Sequence, residues 1–134
     1  MATAAHTGCV TGGPRVILRL EGFAVFAAAA GLYFHAGFDW RMFAVLFLAP
    51  DLSFAAYLFG PRAGAFAYNT AHSSNGAIGL GIAALALNEA AIAAIALIWL
   101  AHIGFDRALG YGLKYGAGFG FTHLGRTGRQ RKES

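Results

Sequence analysis

The sequence predicts an all-α, polytopic membrane protein folded as a four-helix transmembrane bundle. The chain has 134 residues, of which 57% are hydrophobic and only 12% are charged, far from the average composition of soluble domains. Its apolar residues form four long runs, and its 19 glycines are typical of helices that pack closely in a bilayer. The length leaves room for a single domain.

The helices follow from the order of apolar runs and turn residues. Four runs are each close to the roughly 17–25 residues that cross a bilayer, the last being the shortest, and they cover residues 16–34, 42–59, 63–87 and 90–105. Pro50 interrupts the second run, because proline removes a backbone donor and kinks a helix. Gly60-Pro61-Arg62 and Asn88-Glu89 provide turns on either side of the third run.

The ends of the chain have a different character. Residues 1–14 are small and polar and predict a disordered N-terminal tail, whereas residues 127–134 form a basic C-terminal tail. The transmembrane helical domain is therefore expected at residues 15–126. Within it, the glycine- and aromatic-rich stretch after Asp106 is too polar for a span, and we expect it to be an interfacial or re-entrant segment.

The basic residues are distributed unevenly over the predicted topology. In a four-span arrangement only Arg41 of the ten basic residues falls on the side opposite the termini. The positive-inside rule then predicts a multi-pass protein of the cytoplasmic membrane with both termini cytoplasmic. Basic residues that flank spans account for the pI of 9.6, so no nucleic-acid partner is expected. The expected partners are membrane lipids, and other membrane subunits or a homo-oligomer are further candidates.

Four ionisable residues lie inside the apolar runs, where a charge is costly and usually marks a functional site. They are Asp51, His72, His102 and Asp106. Counting about 1.5 Å per residue along a helix, all four can meet in the cytoplasmic half of the bundle. His102 and Asp106 are four residues apart and share one helix face. Imidazole and carboxylate groups are ligands of zinc and other divalent metals, and a metal would neutralise the buried carboxylates.

Other residues near this layer have two interpretations. Glu21, about one turn into the first helix, could reach the same layer and serve as a general base. Asn69 shares a face with His72, so the two could instead form a polar patch that only hydrogen-bonds between helices. Asp106 could likewise pair with Arg107 at the helix end. His35 and His123 lie outside the spans and are expected at the surface.

The segments that carry these residues resemble a known family. LRLEG, FLAPDLSFAAYLFGPRAGAFAYNTAH, ALIWLAHIGFDRALGYGLKY and THLG resemble the DUF4260 family of small bacterial integral membrane proteins, over about residues 15–126. The function of that family is unknown. The resemblance therefore implies a compact multi-span protein of the bacterial inner membrane and no particular activity.

A looser resemblance implies an activity. Pro50-Asp51, Ala71-His72-Ser73 and the His102/Asp106 pair are similar, in order, to the PD, THS and HxxxD motifs of YdjM-like predicted membrane metal-dependent hydrolases. Ser53 stands where those proteins have a second aspartate, and the first helix has Glu21 rather than an early histidine.

Two classes of function follow. In a metal-dependent membrane hydrolase, the four residues would hold a divalent metal such as zinc, and a lipid-linked substrate would enter from the cytoplasmic leaflet. In a non-enzymatic protein, either a small transporter or an accessory subunit of a larger complex, the same residues would join helices or relay protons.

Overall fold

The computed structural model describes residues 10–114 and 121–126, and within them it is helical except for one small hairpin. The helices are α1 (Gly12–His35), α2 (Trp40–Leu46), a 3₁₀ helix (Ala49–Phe59), α3 (Pro61–His72), α4 (Ser74–Leu87) and α5 (Ala90–Leu109). Residues 12–14 of the predicted N-terminal tail belong to α1 instead. The rest of that tail up to residue 9, the C-terminal tail and residues 115–120 lie outside the described residues.

Three helical stretches are long and apolar enough to cross a membrane, namely Gly12–His35, Trp40–Phe59 and Ala90–Leu109. The outward faces of these stretches and of α3 and α4 carry many large apolar side chains that water would not tolerate in such number. Among the most exposed are Val45, Leu52, Leu58, Phe59, Phe66 and Leu85. This surface is that of a membrane protein, whose exterior faces hydrocarbon.

The predicted third helix at residues 63–87 is wrong in one respect, since the structure divides it at Ser73. Ser73 has an extended backbone (φ −83°, ψ 136°), and its hydroxyl accepts a hydrogen bond from the Asn75 amide. Serine favours such helix starts because its side chain replaces a missing backbone partner. With 12 and 14 residues, neither α3 nor α4 alone reaches the length of a span.

Pro50 changes the second predicted helix more than a kink would. It lies at the start of an 11-residue 3₁₀ helix, in which residues three apart share a face. Three residues of this helix cover about the same axial length as four residues of α3, which runs back alongside it after the turn at Gly60. Three contacts therefore line up along the hairpin: Asp51 with His72, Phe54 with Tyr68, and Tyr57 with Gly64.

Helix α5 is the centre of the bundle, and α1 packs antiparallel against it. Gly22 and Gly104 allow the two backbones to approach, because a Cβ placed on Gly104 would lie 2.7 Å from the Gly22 carbonyl oxygen. At the other end of α1, Tyr33 is fully buried against Ala94 and Ile98. Small residues thus bring α1 and α5 into close contact, as is common between membrane helices.

The described part of the C-terminal segment folds back over the end of the bundle where α1 begins and α5 ends. Strands β1 (Phe121–Thr122) and β2 (Gly125–Arg126) form an antiparallel hairpin. The His123 carbonyl accepts from the Val10 amide, and the His123 amide donates to the Leu113 carbonyl. The predicted interfacial placement of this segment stays a prediction.

Candidate metal centre

The four predicted ligands come together at the junction of three helices. The 3₁₀ helix provides Asp51, the last residue of α3 is His72, and α5 provides both His102 and Asp106. One ligand atom from each residue can be chosen so that all four atoms lie within 4.8 Å of one another. This set is the one predicted from the sequence.

Five of the six distances among these atoms are short enough for ligands of one metal ion. The Nε2 atoms of His72 and His102 are 3.1 Å apart. Each of these nitrogens lies 3.2–3.4 Å from one carboxylate oxygen of Asp51 and from one of Asp106. A tetrahedral zinc ion with ligands at about 2.0–2.1 Å would separate its ligand atoms by about 3.3–3.4 Å. These five distances are close to the edges of a zinc tetrahedron, and all six distances among the four atoms are within 4.8 Å.

Hydrogen bonding alone does not satisfy this arrangement. The Nδ1 of His72 lies 2.9 Å from the Tyr68 carbonyl oxygen, which can only accept, so this nitrogen carries the proton. A neutral His72 then presents an unprotonated Nε2 to the cluster. The two carboxylates would repel each other, and a proton can bridge only one pair of the four atoms. One divalent cation would contact all four and balance the two negative charges.

Tyr68 contributes more than its carbonyl. Its ring stacks on the imidazole of His72 with centroids 3.7 Å apart and planes 11° from parallel. The stack and the Nδ1 hydrogen bond fix the orientation of the ring, as outer partners of metal-binding histidines commonly do. The second imidazole is held differently: the Nδ1 of His102 is buried near the Phe47 backbone without a well-formed hydrogen bond.

Side chains of α5 hold the C-terminal end of α3 in place. The Arg107 guanidinium donates to the carbonyls of His72 and Tyr111, each at 2.9 Å, and the Trp99 indole donates to the Ala71 carbonyl at 2.6 Å. The last carbonyls of a helix lack partners within the helix, so these bonds stabilise the end of α3. They also set the backbone position of a predicted ligand.

Asn69 performs a similar function for the segment after α5. Its side-chain amide donates to the Lys114 carbonyl at 2.7 Å, and its oxygen accepts from the Lys114 amide at 2.6 Å. The Lys114 ammonium lies over the Tyr68 ring, 5.0 Å from its centroid. Burial lowers the pKa of Lys114 to about 8. Asn69 therefore positions the segment around Lys114. Its side chain is not part of the cluster of four predicted ligands.

The ligands differ in their access to the surroundings. The side chains of His72 and His102 are 0% and 2% exposed, and that of Asp106 is 13% exposed, whereas that of Asp51 is 37% exposed. The two imidazoles therefore form the closed side of the centre. The open side is at Asp51, on the 3₁₀ helix.

Glu21 is placed apart from the four clustered atoms. It is exposed on α1 and lines a groove of about 300 Å³ between α1, α4 and α5, together with Arg107 and His123. Its predicted role as a general base stays a prediction. His35 is exposed, as expected, but His123 is half-buried and accepts a hydrogen bond from the Leu113 amide at 2.9 Å. Burial and the nearby Arg107 lower the pKa of His123.

Three contributors to the centre were missed from the sequence. No role was assigned to Tyr68 or Trp99 from the sequence, and Arg107 was considered only as an ion-pair partner of Asp106. Tyr68 did carry a signal, because it lies four residues before His72 on the same helix face. Arg107 and Trp99 act on backbone carbonyls of another helix, which no spacing in the sequence reveals.

Comparison with known proteins agrees with one of the two resemblances. The family model described as Domain of unknown function (DUF4260) matches residues 15–127. No curated protein and no solved structure matches the chain. The similarity to YdjM-like hydrolases therefore stays a prediction. Because the family model covers most of the chain, this apolar helical protein, with its buried His/Asp cluster, belongs to the DUF4260 family.

Proposed function

We propose that this protein is a multi-pass membrane protein that binds one divalent metal ion, zinc in the first place, between Asp51, His72, His102 and Asp106. The observation that carries the proposal is the convergence of four ligand atoms from three helices, with the two imidazole nitrogens 3.1 Å apart and each 3.2–3.4 Å from an oxygen of both carboxylates. Two imidazoles with two carboxylates suit zinc or another transition metal. Magnesium and calcium prefer oxygen ligands alone.

The proposal places the centre in the cytoplasmic half of a four-span bundle in the bacterial inner membrane. Helices α3 and α4 would together form the additional span, broken at Ser73 beside the metal. The packing of the described basic residues supports this topology. Arg15 and Arg19 of α1 lie near Gly110 at the end of α5, and Arg107 lies beside Gly22 of α1, so described basic residues of α1 and α5 gather at one end of the bundle, as expected for cytoplasmic termini.

The activity that fits such a centre best is hydrolysis of a lipid or lipid-linked molecule. A bound zinc ion lowers the pKa of a coordinated water and polarises a carbonyl or phosphoryl oxygen. His72, His102 and Asp106 would hold the ion from the buried side, and the exposed Asp51 would mark the side of substrate approach. In the reaction, water would cleave an ester or phosphoester bond, its hydroxyl joining the acyl or phosphoryl group and its proton the leaving oxygen.

One observation favours a second, non-enzymatic function. Four protein ligands are typical of structural zinc sites, whereas catalytic sites usually have three and leave one position for water. A closed centre would stabilise the junction of the 3₁₀ helix, α3 and α5 in an accessory subunit or a small transporter. Release of labelled product from phosphatidylglycerol or phosphatidylethanolamine vesicles by the zinc-loaded protein would favour the hydrolase, and its absence would favour the closed site.

The metal content of the purified protein tests the proposal. Wild type, His102→Ala and His35→Ala are purified in detergent, equilibrated with zinc, passed over a desalting column and analysed by mass spectrometry for metals. We expect about one zinc per chain in wild type and in His35→Ala, whose histidine is exposed and outside the cluster, but none in His102→Ala. Equal zinc in all three, or none in wild type, would overturn it.

A further inference from the structure

An apolar cavity of about 250 Å³ lies beside the proposed metal centre. It is enclosed by the two candidate spans Trp40–Phe59 and Ala90–Leu109 and by the end of α3. Its walls contain no charged residue and consist of Leu46, Ala49, Pro50, Ala71, Ile95, Ile98 and Trp99. The only polar side-chain atom among them, the indole nitrogen of Trp99, already donates to the Ala71 carbonyl.

The cavity lies beside the metal centre on each of the three helices that provide the clustered ligands. Pro50 immediately precedes Asp51, and Ala71 immediately precedes His72. On α5 the cavity residues lie three, four and seven positions before His102, which places them on the same helix face as this ligand. Ile95 therefore lies about 10 Å along the helix axis from His102. In the proposed topology this direction leads from the cytoplasmic side towards the middle of the bilayer.

We propose that this cavity binds one hydrocarbon chain of an amphiphilic substrate whose polar group reaches the metal centre. The inference rests on the proposed function, since it names the substrate class of the same site. Ala49 is exposed and Ile95 is 42% exposed, so the cavity opens sideways to the lipid around the bundle. A chain could enter from the bilayer while its headgroup stays at the cytoplasmic side, next to Asp51.

A second groove provides an internal control. The groove of about 300 Å³ that contains Glu21 uses a different face of α5, formed by Leu100, Ile103, Gly104 and Arg107. Ile78 of α4 lines it and is 50% exposed, comparable with Ile95. Because this groove shares no lining residue with the cavity and lies on another face of α5, filling it should leave a chain bound beside the metal centre unaffected.

Trp99 can report the occupant directly. The chain contains two tryptophans, so Trp40→Phe leaves Trp99 as the only one. In detergent micelles, phosphatidylglycerol with brominated acyl chains should quench the Trp99 fluorescence saturably, and the unbrominated lipid should reverse the quenching. Ile95→Phe, which fills the cavity, should weaken this binding at least tenfold, whereas Ile78→Phe should leave it within twofold.

The outcomes separate this inference from the metal centre. Quenching that rises in proportion to the brominated fraction without saturation, equally in both variants, would show only surrounding lipid and would overturn the inference. Zinc is measured on the same samples. Bound zinc without saturable quenching would overturn the chain site alone. Saturable quenching without bound zinc would overturn the metal centre and leave a hydrocarbon site that has no role in hydrolysis.

Discussion

The two faces of α5 join their neighbours by opposite means. The face towards α1 is closed by small residues, with Gly22 and Gly104 bringing the two backbones into contact. The face towards α3 is joined by polar groups, with Trp99, His102 and Asp106 reaching the end of that helix. The comparison shows that close packing of small residues can bring two membrane helices together without a buried cluster of ionisable groups. In the proposed function, a cation would complete the other interface by balancing the charge of its two carboxylates.

The packed face should be the more sensitive to a single methyl group. A Cβ on Gly22 would overlap Arg107 Cβ and lie 2.8 Å from the Ala108 amide nitrogen, whereas one on Gly31 of the same helix meets nothing within 4 Å. We expect Gly22→Ala to lower the free energy of unfolding by more than about 4 kcal/mol, because backbone cannot move aside as a side chain can. Thermal unfolding in detergent measures the loss.

Gly31→Ala is the matched control for this prediction. Alanine is the better helix former, so its effect should be neutral or stabilising by up to about 1 kcal/mol. Equal unfolding temperatures for the two variants would show that the close approach of α1 and α5 does not hold the bundle together.

A substitution on the polar face should act mainly by lowering the affinity for metal rather than by disturbing helix packing. His72→Ala removes one ligand and the ring on which Tyr68 stacks. We expect its zinc affinity to fall more than about 100-fold, beyond the range seen for loss of an outer partner of a ligand. Competition with a chromophoric chelator measures this affinity. Thr70→Ala, an exposed change on the same helix, should retain wild-type affinity, and a similar loss in both variants would count against a specific site.

Two arginines allow the two faces to be compared with the same chemistry. Arg107 donates to the His72 carbonyl on the polar face, and Arg19 donates to the Ala108 carbonyl on the packed face, each at 2.9 Å. Arg107→Met should weaken zinc binding about tenfold by releasing the backbone of a ligand. Arg19→Met should change zinc affinity less than about twofold. The reverse order would contradict the assignment of the metal to the polar face.

The smallest expected effect is a dependence of stability on pH that comes from Lys114. Burial lowers the pKa of this lysine to about 8, below about 10.4 in an unfolded chain. Between these values the unfolded chain holds a proton that the folded protein has released, so stability should rise with pH across this interval. Lys114→Met should flatten the rise in unfolding temperature between pH 8 and 10. If the unfolding temperature of Lys114→Met rose with pH as steeply as that of wild type, Lys114 would not be the source of the pH dependence.

The convergence of four ionisable residues could be predicted from the sequence because each residue violates the apolar pattern of its own helix. Asp51, His72, His102 and Asp106 are costly in hydrocarbon, and that cost requires a common partner. The helix break at Ser73 could not be predicted in the same way. The apolar run continues on both sides of it, and one serine changes helix propensity only slightly.

The alignment of the 3₁₀ helix with α3 was equally inaccessible from the sequence. Pro50 predicts an interruption, but it does not specify that a three-residue period will follow and bring Asp51, Phe54 and Tyr57 onto one face. The half-buried position of His123 depends on pairing with Leu113 across a stretch that carries no periodic pattern.

X-ray absorption at the zinc edge tests the central claim most directly. The purified, zinc-loaded protein should show about four nitrogen or oxygen neighbours at about 2.0–2.1 Å, with the outer-shell scattering of two imidazole rings. His102→Ala should either lose the zinc or show one imidazole fewer. A six-coordinate oxygen shell without imidazole scattering, or a spectrum that His102→Ala leaves unchanged, would contradict a metal centre formed by these four residues.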